Sequence, residues 1–523
     1  MELTRKDLLK LGLLGSAALL LPLERAARTR PKLRNRLPAS RLPEPFQVAF
    51  AAPPVLSPVR SDATTDYYQM TMKSAGVPIL PGMPRTEVWG YGGNSPGPTI
   101  VARRGRNTVV RQINRISNPR HRWATVHLHG NASLPQYDGY ANDTIEPGFY
   151  KDYRYPNEQP ARTLWYHDHG VHVTAENAYM GLAGLYITHD EHESSLPIPH
   201  GKYDVPLVLR DAVFGKDGQM TFDREERGSL FGDVILVNGR PWPAMKVERR
   251  KYRFRVLNAS ISRGFNLALS TGEPLTVIGH DGGLAPAPVE TGSMRVGMAE
   301  RYEVVIDFEK YKIGDKVVLQ NRGLENNEQY ASTRQVMRFD VVGDATKTAD
   351  NTIPDDLRYD NPEDNEVMDL DESQAQPVER EIRFERGNGM WQINDGTWHD
   401  VEASNYRKVV ADPELNGVEI WRLYNNSGGW NHPAHIHLVD FKILDRDGKK
   451  PFPYENGPKD VAYIGEGEEV RAIMRFKRPG KYMIHCHNLV HEDHDMMAQF
   501  EVGQGGPDPL SDPARPLAEA PPL

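Results

Sequence analysis

The chain has 523 residues, 39% of them apolar and 9% aromatic, with a formal net charge of −8 and one cysteine. That length exceeds a single hydrophobic core and implies about three or four domains, and the composition is that of globular domains and not of a disordered or membrane-spanning chain. The charge gives no basic face for nucleic acid, and a lone cysteine excludes an internal disulfide framework.

The first segment, 1–44, opens with MELTRKDLLKLGLLGSAALLLPLERAARTR, an apolar run at 11–22 between basic flanks. The run is too short to span a bilayer and suits a signal h-region, so stable membrane insertion is not expected. Thr4-Arg5-Lys6-Asp7 resembles a twin-arginine export signal with Lys6 in place of the second arginine, and no small-x-small cleavage site follows. Export to the periplasm, cell surface or medium is the expectation; an N-terminal arm or amphipathic helix is the alternative.

From residue 45 onward, short β-branched and aromatic runs alternate with Gly, Pro, Asn and Asp, as in NTVVRQINRIS, KYRFRVLNAS and VEIWRLYNN. This is an all-β pattern of sandwich type. Arg111–Asn114, Arg255–Asn258 and Arg422–Asn425 repeat R-x-x-N in three separate thirds of the chain, which predicts three related sandwich domains. Composition places them at 45–192, 193–343 and 378–503. The acidic, strand-poor segment 344–377 reads as a surface linker, and the Pro/Gly/Ala-rich tail 504–523 is expected to be disordered.

The 18 histidines include four H-x-H pairs: His127/His129, His167/His169, His435/His437 and His485/His487. Residues two apart on a strand share a face, so each pair presents two imidazoles side by side. Two pairs lie in the first domain and two in the third, giving eight nitrogen ligands of the kind Cu, Zn, Fe and Ni favour. The second domain has none and is expected to act as a spacer. His172, His399 and His494 fall outside this pattern and read as ordinary histidines, His172 and His494 being the two near enough in sequence to support ligands.

Cys486 stands between His485 and His487, so its side chain faces away from theirs. On its own side His432, of opposite parity to His435, can join it with His491 and Met496. Two histidines, a thiolate and a long axial methionine make the ligand set of a blue-copper electron-transfer site. A one-electron site joined through Cys486 to a cluster suited to three coppers stores four electrons, the number that reduces O₂ to water. The spacings from His127 to His167 and from His435 to His485 are similar, which puts Asp168 where the third domain has Cys486.

HLHG, HDH, HPAHIH and HCHNLVHEDHDM together resemble the four copper-binding segments of the multicopper oxidases, in order, over about residues 80–505. Within that family the chain is most similar to bilirubin oxidases and bacterial spore-coat laccases, in stretches such as WYHDHGVHVTAENAYMGLAGLY and GGWNHPAHIHLVDFK. The resemblance implies three consecutive cupredoxin-like Greek-key β-sandwiches and four copper ions. It implies that His127 and His435 hold type 2 copper, that His129, His167 and His487 hold one type 3 copper, and that His169, His437 and His485 hold the other. His432, Cys486, His491 and Met496 would form type 1. Asp138 and Glu492 match acids that the family keeps near the cluster, where oxygen reduction consumes protons; a turn aspartate and a solvated glutamate are the alternatives. Trp430 matches a tryptophan at the donor site of bilirubin oxidases.

The expected partners are O₂ and small organic donors (phenols, aryl amines, bilirubin-like tetrapyrroles), with the chain acting as a monomer. A cuprous or ferrous oxidase is the alternative, but the 16 methionines are scattered and form no metal-docking insert. A zinc hydrolase has no use for the thiolate set. A small blue-copper carrier has no use for three further H-x-H pairs, and a copper nitrite reductase has fewer histidines and no dinuclear pair.

Overall fold

The three R-x-x-N segments become the central strands of three equivalent sheets. The computed structural model describes residues 35–377 and 379–523, so the apolar run 11–22 and its basic flanks lie outside the described residues. Strands Asn107–Asn114, Lys251–Asn258 and Val418–Asn426 each run parallel to an earlier strand: Thr65–Val77, Asp204–Ala212 and Arg380–Gly387 respectively. On the other side each pairs antiparallel with a later one, Phe149–Tyr155, Arg301–Asp307 or Glu469–Arg475.

The repeat residues do the same work three times. Arg111 donates to Asp152 at 2.7 Å, Arg255 to Glu303 at 2.7 Å and Arg422 to Glu469 at 2.6 Å, each acid lying on the antiparallel neighbour. Asn114, Asn258 and Asn425 each accept from the backbone N–H two residues on, at 3.1, 3.0 and 3.1 Å. Their amides donate to Ile145 O, Arg263 O and Trp430 O, each at 2.8 Å. An asparagine at the strand end thus folds the following loop by a side-chain-to-backbone turn.

Among the described residues the strands form six sheets, two to each unit, making three β-sandwiches in series. In the outer two sandwiches the second sheet carries the histidines. Val126–His129 lies antiparallel to Arg162–Asp168 with His127 opposite His167, and His432–Ile436 lies antiparallel to Gly480–Cys486 with His435 opposite His485. Among the described residues no helix is long and apolar enough to cross a membrane.

The tail departs from its expected disorder. Arg515–Pro516 pairs antiparallel with Phe149 and Tyr150 at the edge of the first sandwich, and Arg111 donates to Pro521 O at 2.5 Å. Composition failed here because the exposed strand edge supplies backbone partners that the tail's own sequence does not advertise. The acidic segment 344–377 does run between sandwiches, but it is pinned. Leu357 and Leu370 are buried, and Asp364 takes a bidentate pair of hydrogen bonds from Arg104 at 2.7 and 2.6 Å.

Candidate metal centre

All eight paired histidines are buried, and the first and third sandwiches meet along them. Their hydrogen bonds decide which ring nitrogen carries a proton, because a carbonyl can only accept. His127 Nδ1 donates to Asp138 O at 2.6 Å, His435 Nδ1 to Asp460 O at 2.9 Å, His167 Nδ1 to Asp168 O at 2.7 Å and His485 Nδ1 to Cys486 O at 3.2 Å. His437 Nδ1 donates to the Asp138 carboxylate at 2.7 Å. In neutral rings each Nε2 is then a bare lone pair aimed into the cluster.

Those lone pairs face one another. His127 Nε2 and His435 Nε2 are 3.4 Å apart, and His437 Nε2 and His485 Nε2 are 3.2 Å apart. His169 Nε2 lies 3.1 Å from His485 Nε2. Burial pushes the pKa of His129, His167, His435, His437 and His487 far down, and that of His169 to about 3, so these six rings do not take up protons that would relieve the opposition. His167 Nε2, His129 Nδ1 and both nitrogens of His487 have no hydrogen-bond partner. Bare, convergent nitrogens in a dry site fit cations.

Among the described residues, four overlapping sets in the cluster have ligand atoms within 4.8 Å of one another: His127/His435/His437, His127/His129/His167, His169/His437/His485 and His129/His435/Asp460. His487 stands beside the second of these, its ring 5.2 Å from those of His129 and His167. Asp138, buried under the cluster, binds His437 through its carboxylate and His127 through its carbonyl, and burial raises its pKa. Glu492 Oε2 is 3.0 Å from His485 Nδ1, and its Oε1 is 3.8 Å from His169 Nε2.

Across the strand from the cluster, Cys486 Sγ lies 3.2 Å from His432 Nδ1 and 3.6 Å from His491 Nδ1. Burial pushes the thiol pKa far up, so only a bound cation would hold it as thiolate. Met496 is buried in the same core, and its carbonyl accepts from Cys486 N at 3.2 Å. Asp168, which occupies the equivalent place in the first sandwich, is bound instead by Thr125 N at 3.0 Å and Gly170 N at 3.1 Å. A carboxyl held by two backbone N–H groups stands there in place of the thiol, so that sandwich has no thiolate ligand to offer.

Three family models, each described as multicopper oxidase, match residues 74–193, 210–337 and 375–506. The chain is 41% identical over 485 residues to the bilirubin oxidase of Albifimbria verrucaria, covering 87% of this chain and 81% of that one. The chain belongs to the multicopper oxidase family.

It is also 32% identical over 518 residues to a laccase of Bacillus subtilis, covering 88% of this chain and 98% of the laccase. A multicopper oxidase from Pediococcus acidilactici superimposes with a TM-score of 0.78 at 28% identity, over 88% of this chain and 92% of that one. This multicopper oxidase therefore has the three-domain cupredoxin-like fold and is a copper oxidoreductase that uses O₂.

Several neighbours of the site carry no sequence signal. Trp391 stacks on His491, ring centroids 3.9 Å apart at 28°, and its indole N–H donates to Arg227 O at 2.6 Å. Trp430 meets Trp391 edge-on at 5.3 Å and His491 at 5.6 Å. Ser427 and Asp460 also reach ligand histidines, Arg301 reaches them through Asp460, and all three sit in unremarkable local sequence. The second sandwich is more than the expected spacer: Ser229 and Ser262 bind the side chain of Asn488, and Ile261 O accepts from Leu489 N. Of the histidines outside the pattern, His172 Nδ1 donates to Asp493 O at 3.1 Å and His494 Nδ1 to Val490 O at 2.7 Å.

Proposed function

We propose that this multicopper oxidase oxidises small aromatic organic donors, one electron at a time, and reduces O₂ to water using four coppers. The observation that carries the reading is the single strand Gly480–Cys486 and the residue after it, where His485 and His487 face the histidine cluster and Cys486 faces His432 and His491. Copper bound at those two places supplies one-electron oxidation on the thiolate side and four-electron oxygen reduction on the imidazole side.

The chain's own groups divide the remaining tasks. His432, Cys486, His491 and Met496 would form the type 1 set, and the eight paired histidines the type 2 and type 3 sets. Buried Trp391 stacks on His491 and partly exposed Trp430 packs edge-on against both, so a donor meets the Trp430 ring in place of an exposed ligand. Asp138 holds His437 and His127 in the tautomers that aim Nε2 inward, and its raised pKa suits a carboxyl that carries a proton toward oxygen. Glu492 differs: against its burial, the neighbouring His485 and His169 hold its pKa down to about 2, so it stays a carboxylate placed to orient those rings and any water beside them.

An aromatic rim favours planar organic donors over metal ions, and likeness to a bilirubin oxidase points the same way. The deciding experiment is oxygen uptake by protein verified to hold four coppers, offered bilirubin, a methoxyphenol, Cu⁺ and Fe²⁺ separately. Uptake with either organic donor supports the proposal. Uptake with the metal ions alone would replace it with a cuprous or ferrous oxidase.

A further inference from the structure

Arg301, at the start of strand Arg301–Asp307 in the second sandwich, lies at the junction of all three sandwiches with its guanidinium fully enclosed. It makes two parallel hydrogen bonds to Asp460 of the third sandwich, Nη1 to Oδ1 and Nη2 to Oδ2, both at 2.6 Å. Its Nε donates to Thr163 O of the first sandwich at 2.9 Å, and the remaining N–H groups to Ala299 O at 3.1 Å and Asp281 O at 3.0 Å. All five donors are used, the condition under which a buried guanidinium is tolerated.

Asp460 in turn holds two cluster histidines from different sandwiches. Its Oδ1 accepts from His129 Nε2 at 3.1 Å, and its backbone carbonyl accepts from His435 Nδ1 at 2.9 Å. The two rings stack face to face at 3.7 Å. A carboxylate on Nε2 leaves His129 Nδ1 as the bare nitrogen, the reverse of His435, so one residue sets the tautomer of both. The second sandwich fixes Asp460 by its backbone too, through Asp281 Oδ2, which accepts from Asp460 N at 3.2 Å and Val461 N at 3.3 Å. Packing leaves no slack: a Cβ on Gly130, the residue after His129, would sit 2.5 Å from Arg301 Nη2 and 2.8 Å from Asp460 Oδ2.

We propose that Arg301 and Asp460 are positioning residues for the trinuclear copper cluster, through which the second sandwich, bearing none of the paired histidines, aligns His129 and His435 across the interface of the other two. This rests on the reading of the eight histidines as a copper cluster. A structural salt bridge alone would not place its carboxylate on one ligand and its carbonyl on another. Nor would it need the bidentate fork that fixes the carboxylate plane.

The test compares copper-loaded parent, Arg301→Gln and Asp460→Asn by copper content, blue absorbance and the type 2 electron-spin-resonance signal. Anaerobic reduction by a donor and reoxidation by O₂ are then timed separately. In both variants the blue band and its rate of reduction by donor stay, since Cys486, His432 and His491 are untouched. The type 2 signal weakens, and reoxidation slows about 10- to 100-fold, the usual effect of removing a residue that orients a metal ligand. Arg301→Gln with full cluster copper and parental reoxidation overturns the proposal. Should Arg301→Gln fail to fold, Asp460→Asn, which keeps the side-chain shape, decides it by the same readouts. Absence of the blue band from both assigns the pair to folding and overturns it as well. A parent with type 1 copper but no cluster copper removes the underlying reading instead, and is recognised before any variant is compared.

Discussion

Ser427 Oγ lies 2.7 Å from His432 Nε2 and itself donates to Asn425 Oδ1 at 2.7 Å. The hydroxyl proton is thus committed to Asn425, and Ser427 can only accept from His432, which leaves His432 Nδ1 bare toward Cys486. Asn425 is the repeat asparagine that folds the same turn in all three sandwiches. Only in the third does that turn hand a hydroxyl to a ligand: Ser260 Oγ, at the same offset in the second, has no partner, and the first has Ile116 there.

Ser427→Ala is therefore expected to keep the blue colour and raise the type 1 reduction potential. A histidine whose N–H loses its acceptor is a weaker base and stabilises the oxidised metal less. One neutral hydrogen bond of ~1 kcal/mol corresponds to a shift on the order of 40 mV for one electron. Redox titration of the blue band measures it, and an unchanged or lowered potential contradicts the role.

Cys486→Ser should abolish the blue band and donor oxidation while the fold persists, because serine fills the buried site without supplying a soft thiolate. Circular dichroism and copper content would report the intact fold with about one copper fewer. A variant that still oxidised phenols at the parental rate would place electron entry elsewhere.

For Asp138→Asn the expected loss is in oxygen reduction alone. The amide can still accept from His437 Nδ1 but carries no transferable proton, so reoxidation should slow by about 10- to 100-fold. Stopped-flow reduction of the blue site by donor should match the parent; equal slowing of both half-reactions would indicate misfolding.

Trp391→Ala should cost about 3–5 kcal/mol of stability by opening a cavity against His491, and Trp391→Phe much less. Both should change the donor KM more than the reoxidation rate, since the indole covers His491 and touches no cluster histidine. Steady-state kinetics with a bulky and a small phenol would show it, and identical KM values for both variants and parent would remove Trp391 from the donor site.

Two buried histidines outside the metal ligands set an acid limit. Burial holds His121 and His280 neutral, each pushed down to about 4. Their folded pKa lies below the unfolded 6.5, so the unfolded chain binds more protons as pH falls, and stability is lost from about pH 6.5 to pH 4. The loss is on the order of 3 kcal/mol for each group. Melting temperature against pH should show this fall, and His280→Gln should flatten part of it. A variant with the parental slope would assign the acid sensitivity to other groups.

Much of the site was legible because it depends on strand parity. His127/His129 and His485/His487 are pairs on one face, with Cys486 opposite, whatever packs around them. Asp168 was legible as the counterpart of Cys486, although its backbone partners at Thr125 and Gly170 were not. Trp391, Ser427, Asp460 and Arg301 were invisible. Each reaches a ligand, Arg301 by way of Asp460, through contacts made between separate segments or within a loop, and such contacts leave no periodic trace. Composition misjudged the tail for the same reason, since Arg515–Pro516 is ordered by the edge at Phe149 and Tyr150.

By itself the sequence determined the all-β class, the threefold R-x-x-N frame and the placing of paired histidines on one strand face with Cys486 on the other, which follow from residue identity and a two-residue period, while its histidine motifs carried the family. The tertiary structure alone decided which nitrogen of each histidine is bare, which carbonyls and carboxylates fix it, and how the second sandwich grips the cluster. Those are properties of donors and acceptors brought within about 3 Å of one another, and only packing of the three sandwiches sets that distance.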